Sequence, residues 1–226
     1  MSEERKHLKA VLHKDSLFHT IMKLVDSLKA PNSALLKKII VAAAITLILA
    51  VVAAAYVMKN SSNNRGAYRI LLEADGFYQG KTYEMALESY KTVVSVYSGS
   101  KYERQALYMQ GNCYYNMGKY DDALGVFTKV FERSSKDYKP SILLAMGYCH
   151  EQKGDCKSAI EKFKELSEKY PEYYQKDDAL MELGKCFEKT GDVKSAKSAY
   201  QRIVDELSNS MLFEDARKKI DSLSAK

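Results

Sequence analysis

Residues 107–130, with the sequence LYMQGNCYYNMGKYDDALGVFTKV, contain the pattern that decides the fold. A small residue, Gly111, is followed twelve positions later by Ala123 and four positions after that by Phe127. Gly118 lies between Gly111 and Ala123, at a point where a helix would have to end. Because residues three or four apart share a helix face, the stretch predicts two packed helices joined by a tight turn.

The same pattern occurs four times along the chain, at a spacing of 36 or 37 residues. The small residues are Ala74, Gly111, Gly147 and Gly184, the alanines are Ala86, Ala123, Ala159 and Ala196, and the aromatic residues are Tyr90, Phe127, Phe163 and Tyr200. The turn glycines are Gly80, Gly118, Gly154 and Gly191, and the first turn carries one extra residue. Repetition at this period predicts a solenoid of helical hairpins, in which stacking buries a continuous core.

The stretches 107–130 and 180–204 resemble the consensus of the tetratricopeptide repeat (TPR). The resemblance covers Ala67 to Leu207 and implies about four helical hairpins. Apolar residues at helical spacing between Met211 and Leu223 predict a final helix that caps the solenoid, which open solenoids need. We therefore expect a TPR solenoid domain over residues 67–226.

Residues 39–58 contain no charged side chain, and lysines lie on either side of them. A helix of this length spans roughly 30 Å, the thickness of the hydrocarbon layer, so a transmembrane helix is predicted. A cleaved signal peptide is the alternative, although the apolar stretch is long for one and 38 residues precede it. The Ser/Asn-rich residues 59–66 predict a flexible linker. The predicted fold class is thus all-α, with a single N-terminal transmembrane helix followed by the solenoid and its capping helix.

Residues 1–38 form a basic amphipathic segment with eight Lys or Arg residues and four acidic residues. This excess favours a cytoplasmic N-terminus, which would place the repeats in the periplasm of a bacterium. Three interpretations remain open: the segment lies on the inner leaflet, docks on a partner, or is a solvated tail that sets the topology. The apolar residues at helical spacing are Leu8, Val11, Leu12, Phe18, Ile21, Met22 and Val25.

Composition and motifs disfavour several classes of function. The net charge is +6, of which +4 belongs to residues 1–38, so the remainder offers no basic stripe for nucleic acid. No catalytic motif occurs, and neither a cofactor nor a metal is predicted. Cys113, Cys149 and Cys186 occupy equivalent repeat positions and are interpreted as buried thiols. Cys156 lies apart in the third turn, where it makes only a weak metal-binding combination with Cys149 and His150.

The TPR resemblance also implies where a partner would bind, because the first helix of each hairpin lines the groove in that family. The matching positions are Tyr68, Leu71, Asp75, Tyr78, Gln105, Tyr108, Asn112, Tyr115, Leu144, Tyr148, Glu151, Met181, Lys185 and Glu188. The lysine with which cochaperone members clamp a terminal carboxylate is missing. The early groove is rich in tyrosine, a residue that provides large contact area at low entropic cost.

The order of anchor and repeats is similar to that of the YfgM-type bitopic proteins of the bacterial inner membrane. That resemblance implies a noncatalytic adaptor with periplasmic repeats, associated with the Sec translocon, chaperones or envelope-assembly components. A second interpretation is a structural subunit or a self-assembling scaffold of an envelope complex, which would be a homo-oligomer in the latter case. A third is a receptor whose TPR domain faces the cytosol.

Overall fold

The computed structural model describes Lys23 and residues 34–225. The apolar positions predicted for the leading amphipathic segment, from Leu8 to Val25, therefore lie outside the described residues. In the described part the chain forms nine helices and no strand, which confirms the all-α prediction. The helices are α1 (Ala34–Gln79), α2 (Tyr83–Val96), α3 (Glu103–Asn116), α4 (Tyr120–Arg133), α5 (Lys139–Gln152), α6 (Cys156–Lys169), α7 (Lys176–Thr190), α8 (Val193–Glu206) and α9 (Phe213–Ser224).

Helix α1 contains a stretch that is long and apolar enough to cross a membrane, with a mean hydropathy of 2.7 in its most apolar window. No residue of that window is buried, and the large apolar side chains of residues 39–58 are exposed. A core helix of a soluble protein would instead be covered on at least one face.

The predicted flexible linker, residues 59–66, is helical in the structure and lies inside α1. Its polar side chains bond to protein groups and not only to water. Asn63 Nδ2 donates to the carbonyl of Ser98 at 3.2 Å, and Asn64 Oδ1 accepts from the amide of Lys101 at 2.9 Å. These bonds fix residues 63 and 64 to the loop between α2 and α3, which explains why a composition typical of linkers is ordered here.

The helices after residue 60 pack as successive antiparallel hairpins. The end of α1 pairs with α2, and the pairs α3–α4, α5–α6 and α7–α8 follow. Three turns use a glycine in the left-handed region, as at Gly191 with φ 82°. In the first turn the positive φ of 59° falls on Lys81, because the extra residue displaces it from Gly80. The extra residue noted in the sequence thus gives the first turn a different backbone conformation from the other three.

Close contact between paired helices explains the small residues of the repeat. A Cβ added to Gly111 would lie 2.4 Å from Cε1 of Phe127, and one added to Gly184 would lie 2.3 Å from Cε1 of Tyr200. These distances are far below van der Waals contact, so no larger residue fits without displacing the ring. The aromatic and small residues of each hairpin therefore act as one packing unit.

The four cysteines are free and buried. Burial raises the pKa of Cys113 and of Cys149 to about 12, so both remain thiols at neutral pH. Cys156, which the sequence sets apart, is also buried, with 8% of its surface exposed at the start of α6. The pKa of Cys186 is raised to about 12, mainly by burial and to a smaller extent by a hydrogen bond with Cys156.

Helix α9 closes the C-terminal end of the solenoid. Its Ala216 and Leu223 are buried in the same core cluster as Tyr200 and Ile203 of α8. The opposite face carries charged, exposed residues, as expected of a helix with no further repeat to cover. The predicted helix in this region is confirmed.

Candidate partner-binding groove

Four tyrosines converge on one cavity of 310 Å³, which we call the tyrosine cavity. It is lined by Tyr78, Tyr108, Asn112, Tyr115, Asn116, Ser141, Leu144, Ala145, Tyr148 and Gln175. Six of these residues are among those that the sequence predicts for the groove. None of the lining side chains carries a charge at neutral pH.

The repeat explains how residues distant in sequence reach this cavity. Tyr78 lies on α1, Tyr108 and Tyr115 on α3, and Leu144 and Tyr148 on α5. These are the first helices of three successive hairpins. Within each helix the residues are four or seven positions apart, which places them on one face.

The tyrosine rings are held by aromatic residues of the second helices. Tyr108 lies 5.7 Å from Phe127 between ring centroids, and Tyr148 lies 5.8 Å from Phe163. Phe127 and Phe163 are completely buried against their own glycines. The ring positions are therefore set by the core and exist before any partner binds, which lowers the entropic cost of binding.

The hydroxyl groups in the cavity are donors at neutral pH. Burial raises the pKa of Tyr108 and of Tyr148, and for Tyr148 the carboxylates of Asp178 and Glu182 raise it further. Asn116 Nδ2 donates to the Tyr78 hydroxyl at 2.9 Å. The surface thus combines ring faces with hydroxyl and amide groups that can bond to a polypeptide backbone.

Four lining residues were not predicted from the sequence: Asn116, Ser141, Ala145 and Gln175. Asn116 follows Asn112 by one helical turn, so its position was available from the repeat register. Gln175 lies in the loop before α7, where the repeat has no fixed register. The Tyr173 hydroxyl lies 2.9 Å from Gln175 Oε1 and 3.0 Å from Ser141 Oγ, and these contacts bring the loop to the cavity.

The remaining predicted residues of the first two hairpins lie outside the cavity lining. Leu71 is only 2% exposed and packs in the core, which leaves little of its side chain for a partner. Asp75 accepts a hydrogen bond from the Tyr90 hydroxyl at 2.5 Å. Tyr68 is 47% exposed and stacks on Tyr102 at 5.3 Å, and Gln105 is exposed.

The charged residues predicted for the late groove are engaged in ion pairs. Glu151 pairs with Lys189 at 2.9 Å, and Lys185 pairs with Glu182 at 2.8 Å. Glu188 accepts from the Tyr200 hydroxyl and from Lys219. The binding role of these three residues stays a prediction.

A second cavity, of 480 Å³, lies where α7 meets α9, and Met181 and Lys185 contribute to it. Its three lysines each have a carboxylate partner, so its charges are balanced within the protein. Met181 is buried except for a small part of its surface.

The described residues contain no group of three His, Cys, Asp or Glu side chains placed to hold a metal ion. In the weak combination of His150 with Cys149 and Cys156, Nδ1 of His150 lies 3.4 Å from Oδ2 of Asp155. Burial lowers the pKa of His150, which favours the neutral ring. Nothing in the described part of the chain points to catalysis.

Models of the tetratricopeptide repeat match residues 104–137, 142–173 and 178–210. The matched ranges correspond to the hairpins α3–α4, α5–α6 and α7–α8, so the chain contains TPR repeats. TPR proteins are generally noncatalytic scaffolds for protein interaction. No curated protein sequence matches the chain.

Several solved structures share the fold. A tetratricopeptide repeat protein from Parabacteroides merdae ATCC 43184 has a TM-score of 0.61 and 16% identity over 71% of this chain. This chain covers 61% of that protein's length. A MamA RS-1 double mutant has a TM-score of 0.55 and 17% identity, with 70% of this chain and 94% of that chain covered. Another MamA structure has a TM-score of 0.52 and 17% identity, with 76% and 86% covered. At these identities the likeness shows the fold alone.

Proposed function

We propose that this protein is a membrane-anchored, noncatalytic TPR adaptor that binds an extended segment of a partner protein in its tyrosine cavity. The observation that carries the proposal is the convergence of Tyr78, Tyr108, Tyr115 and Tyr148 from three hairpins on one concave surface. Aromatic side chains held in place beforehand are the residues that contribute most to protein interfaces.

The anchoring part of the proposal is supported by the exposed apolar side chains of residues 39–58. An uncovered apolar surface of this length is unfavourable in water and favourable in lipid. We propose that this stretch is a single transmembrane helix of a bacterial inner membrane, with the N-terminus in the cytoplasm and the repeats in the periplasm. The charge of residues 1–38 and the likeness to YfgM-type proteins support this orientation.

For the partners, we propose components close to the Sec translocon, including periplasmic chaperones or proteins of envelope assembly. A tethered groove raises the local concentration of its ligand at the membrane surface, which suits the capture of chains as they emerge. The order of anchor and repeats carries this part of the proposal.

Site-specific photo-crosslinking of the full-length chain in the source cells tests the binding surface. A benzophenone amino acid would replace Tyr115 in the cavity and, as the matched control, Lys129, which is exposed on α4. We expect adducts with a defined segment of a translocon, chaperone or envelope protein from position 115 only. Equal adducts from both positions would contradict the groove, and an adduct of twice the chain mass would favour the self-assembling scaffold.

The orientation needs a separate measurement, because the native cysteines are buried and would react poorly in the folded protein. The variant Lys129→Cys would be treated with a membrane-impermeant maleimide in intact spheroplasts. We expect labelling without lysis, whereas the control Ser2→Cys should label only after lysis. The reverse result would support a receptor whose repeats face the cytosol.

A further inference from the structure

The tyrosine cavity has neutral walls but lies beside a group of carboxylates. Gln175, a lining residue, donates from Nε2 to Asp178 Oδ2 at 3.4 Å, and the charge of Asp178 acts on the lining residue Tyr148, so Asp178 lies next to the cavity. Glu151 and Glu182 are the nearby acids on α5 and α7, and both raise the pKa of Tyr148. The cavity is therefore bordered by negative charge on the side of Tyr148.

Two of these three carboxylates have a direct ion-pair partner and one does not. Glu182 pairs with Lys185 at 2.8 Å and Glu151 pairs with Lys189 at 2.9 Å. Among the residues that the structure describes, no Lys, Arg or His lies within ion-pair distance of Asp178. Its carboxyl is half-buried, and burial together with the charge of Asp177 raises its pKa. The hydrogen bond from Gln175 and the charge of Lys185, which pairs with Glu182, partly offset this shift. The Asp178 carboxylate is thus partly desolvated and has no direct ion-pair partner.

We propose that the tyrosine cavity receives a lysine or arginine side chain of the bound segment, with the cation over the tyrosine rings and paired with Asp178. This inference rests on the proposed function, because it names the chemistry of the partner at the same groove. Tyrosine faces attract a cation within about 6 Å of the ring centroid, and they do so more strongly where water is excluded. A cation in this place would supply the direct ion-pair partner that Asp178 lacks.

The same surroundings disfavour other occupants. An acidic segment would bring a further negative charge beside Asp178, and the residues that line the cavity include no cation to pair with it. A purely apolar side chain would exclude water from the polar groups of the cavity without offering a hydrogen bond or a partner for Asp178. A long side chain with an apolar stem and a cationic end satisfies both the rings and the polar groups.

Peptide binding to the full-length chain tests the proposal. The protein would be placed in nanodiscs of phosphatidylcholine, whose zwitterionic surface has no net charge to attract cationic peptides. Three fluorescent peptides of identical sequence would carry arginine, citrulline or glutamate at their central position. Citrulline has the shape of arginine without the charge. We expect the arginine peptide to bind about tenfold more tightly than the citrulline peptide, and the glutamate peptide to bind most weakly.

Two pairs of variants assign the effect to the cavity. Asp178→Asn should abolish the preference for arginine over citrulline, whereas Glu161→Gln, on the exposed surface of α6, should leave it unchanged. Tyr148→Phe should keep most of the affinity because it keeps the ring, and Tyr148→Leu should lose it. Melting temperatures of all variants would identify any that fail to fold.

Each remaining result overturns the inference. Equal binding of the arginine and citrulline peptides, with loss of both in Tyr148→Leu, would leave the groove as a binding site but remove its preference for cations. A preference for arginine that survives Asp178→Asn would place the cation elsewhere. Failure of all three peptides to bind would overturn the inference, while the crosslinking experiment would still decide the proposed function separately.

Discussion

Gly147 and Phe163 are in such close contact that the glycine Cα hydrogen faces the phenyl ring directly. A Cβ added to Gly147 would lie 2.3 Å from Cε1 of Phe163. Phe163 is completely buried and in turn holds Tyr148 at the edge of the tyrosine cavity. A single helix–helix contact therefore determines both the packing of the third hairpin and the position of a predicted binding residue.

This contact predicts that Gly147→Ala destabilises the protein, although alanine is the better helix former. Overpacking of a close contact typically costs about 1 to 3 kcal/mol of unfolding free energy. Gly125 is the matched control, because it lies inside α4 with no atom within 4 Å of an added Cβ. Gly125→Ala should therefore raise the unfolding free energy by about 0.5 to 1 kcal/mol. Urea denaturation followed by circular dichroism measures both, and equal effects of the two substitutions would contradict the packing described here.

The same contact shows why the repeat core was predictable from the sequence. Close approach of two helices admits only Gly or Ala, so Gly147, Ala159 and Phe163 appear at fixed spacing and identify the hairpin. The tyrosines of the cavity were predictable because they follow the same register. No comparable constraint acts on Gln175, which reaches the cavity through loop contacts and hydrogen bonds.

The Ser and Asn content of residues 59–66 predicted a flexible linker, whereas the structure shows a helix there. Side-chain amides are typical of linkers because they bond well to water, but they bond equally well to a neighbouring loop. Asn63 and Asn64 find such partners at Ser98 and Lys101. Contacts between residues more than thirty positions apart leave no local signal in the sequence.

Stability should depend on pH through His150. Burial lowers the pKa of His150 below its usual value of 6.5, so the unfolded chain takes up the proton at a higher pH than the folded protein does. Folding stability should therefore decrease as the pH falls from about 7 through 6.5 to the folded pKa, and this contribution should then level off. Phe77, His150 and Phe187 each lie three residues after the small residue of their repeat. His150→Phe, which gives the third repeat the same ring, should flatten this dependence. Melting temperatures measured across this range test it, and an unchanged slope would mean that His150 is not the responsible group.

Asp178→Asn should stabilise the protein at neutral pH. Burial raises the pKa of the Asp178 carboxyl, so its charged form is less favourable in the folded protein than in the unfolded chain. The penalty is absent below the unfolded value of 3.8, where the group is protonated in both states, and it is complete above the folded pKa. The gain from the substitution should therefore grow as the pH rises above about 4 through the folded pKa. A variant that is less stable than the parent at pH 7 would contradict the penalty on the Asp178 charge, on which the cavity proposal relies.

Replacing either partner of the ion pair between Lys176 and Glu206 should have a different effect on stability, because the side chain that remains differs in burial and in its other contacts. The Lys176 side chain is 8% exposed, and its Nζ lies 2.9 Å from Glu206 Oε2. Glu206 is more exposed and also binds Nε of Arg202 at 3.0 Å. Glu206→Gln would leave a buried ammonium group without its counter-charge, at a cost of about 1 to 3 kcal/mol. Lys176→Met would leave Glu206 paired with Arg202 and would fill the same space with an apolar side chain, so its cost should be smaller.

Because Arg202 and Lys176 both lower the pKa of Glu206, the stabilisation by Glu206 should be complete above its unfolded value of 4.5 and should be lost as the pH falls through the lower folded value. Denaturation of both variants at neutral pH and near pH 3 tests the asymmetry, and a larger loss in Lys176→Met than in Glu206→Gln would refute it.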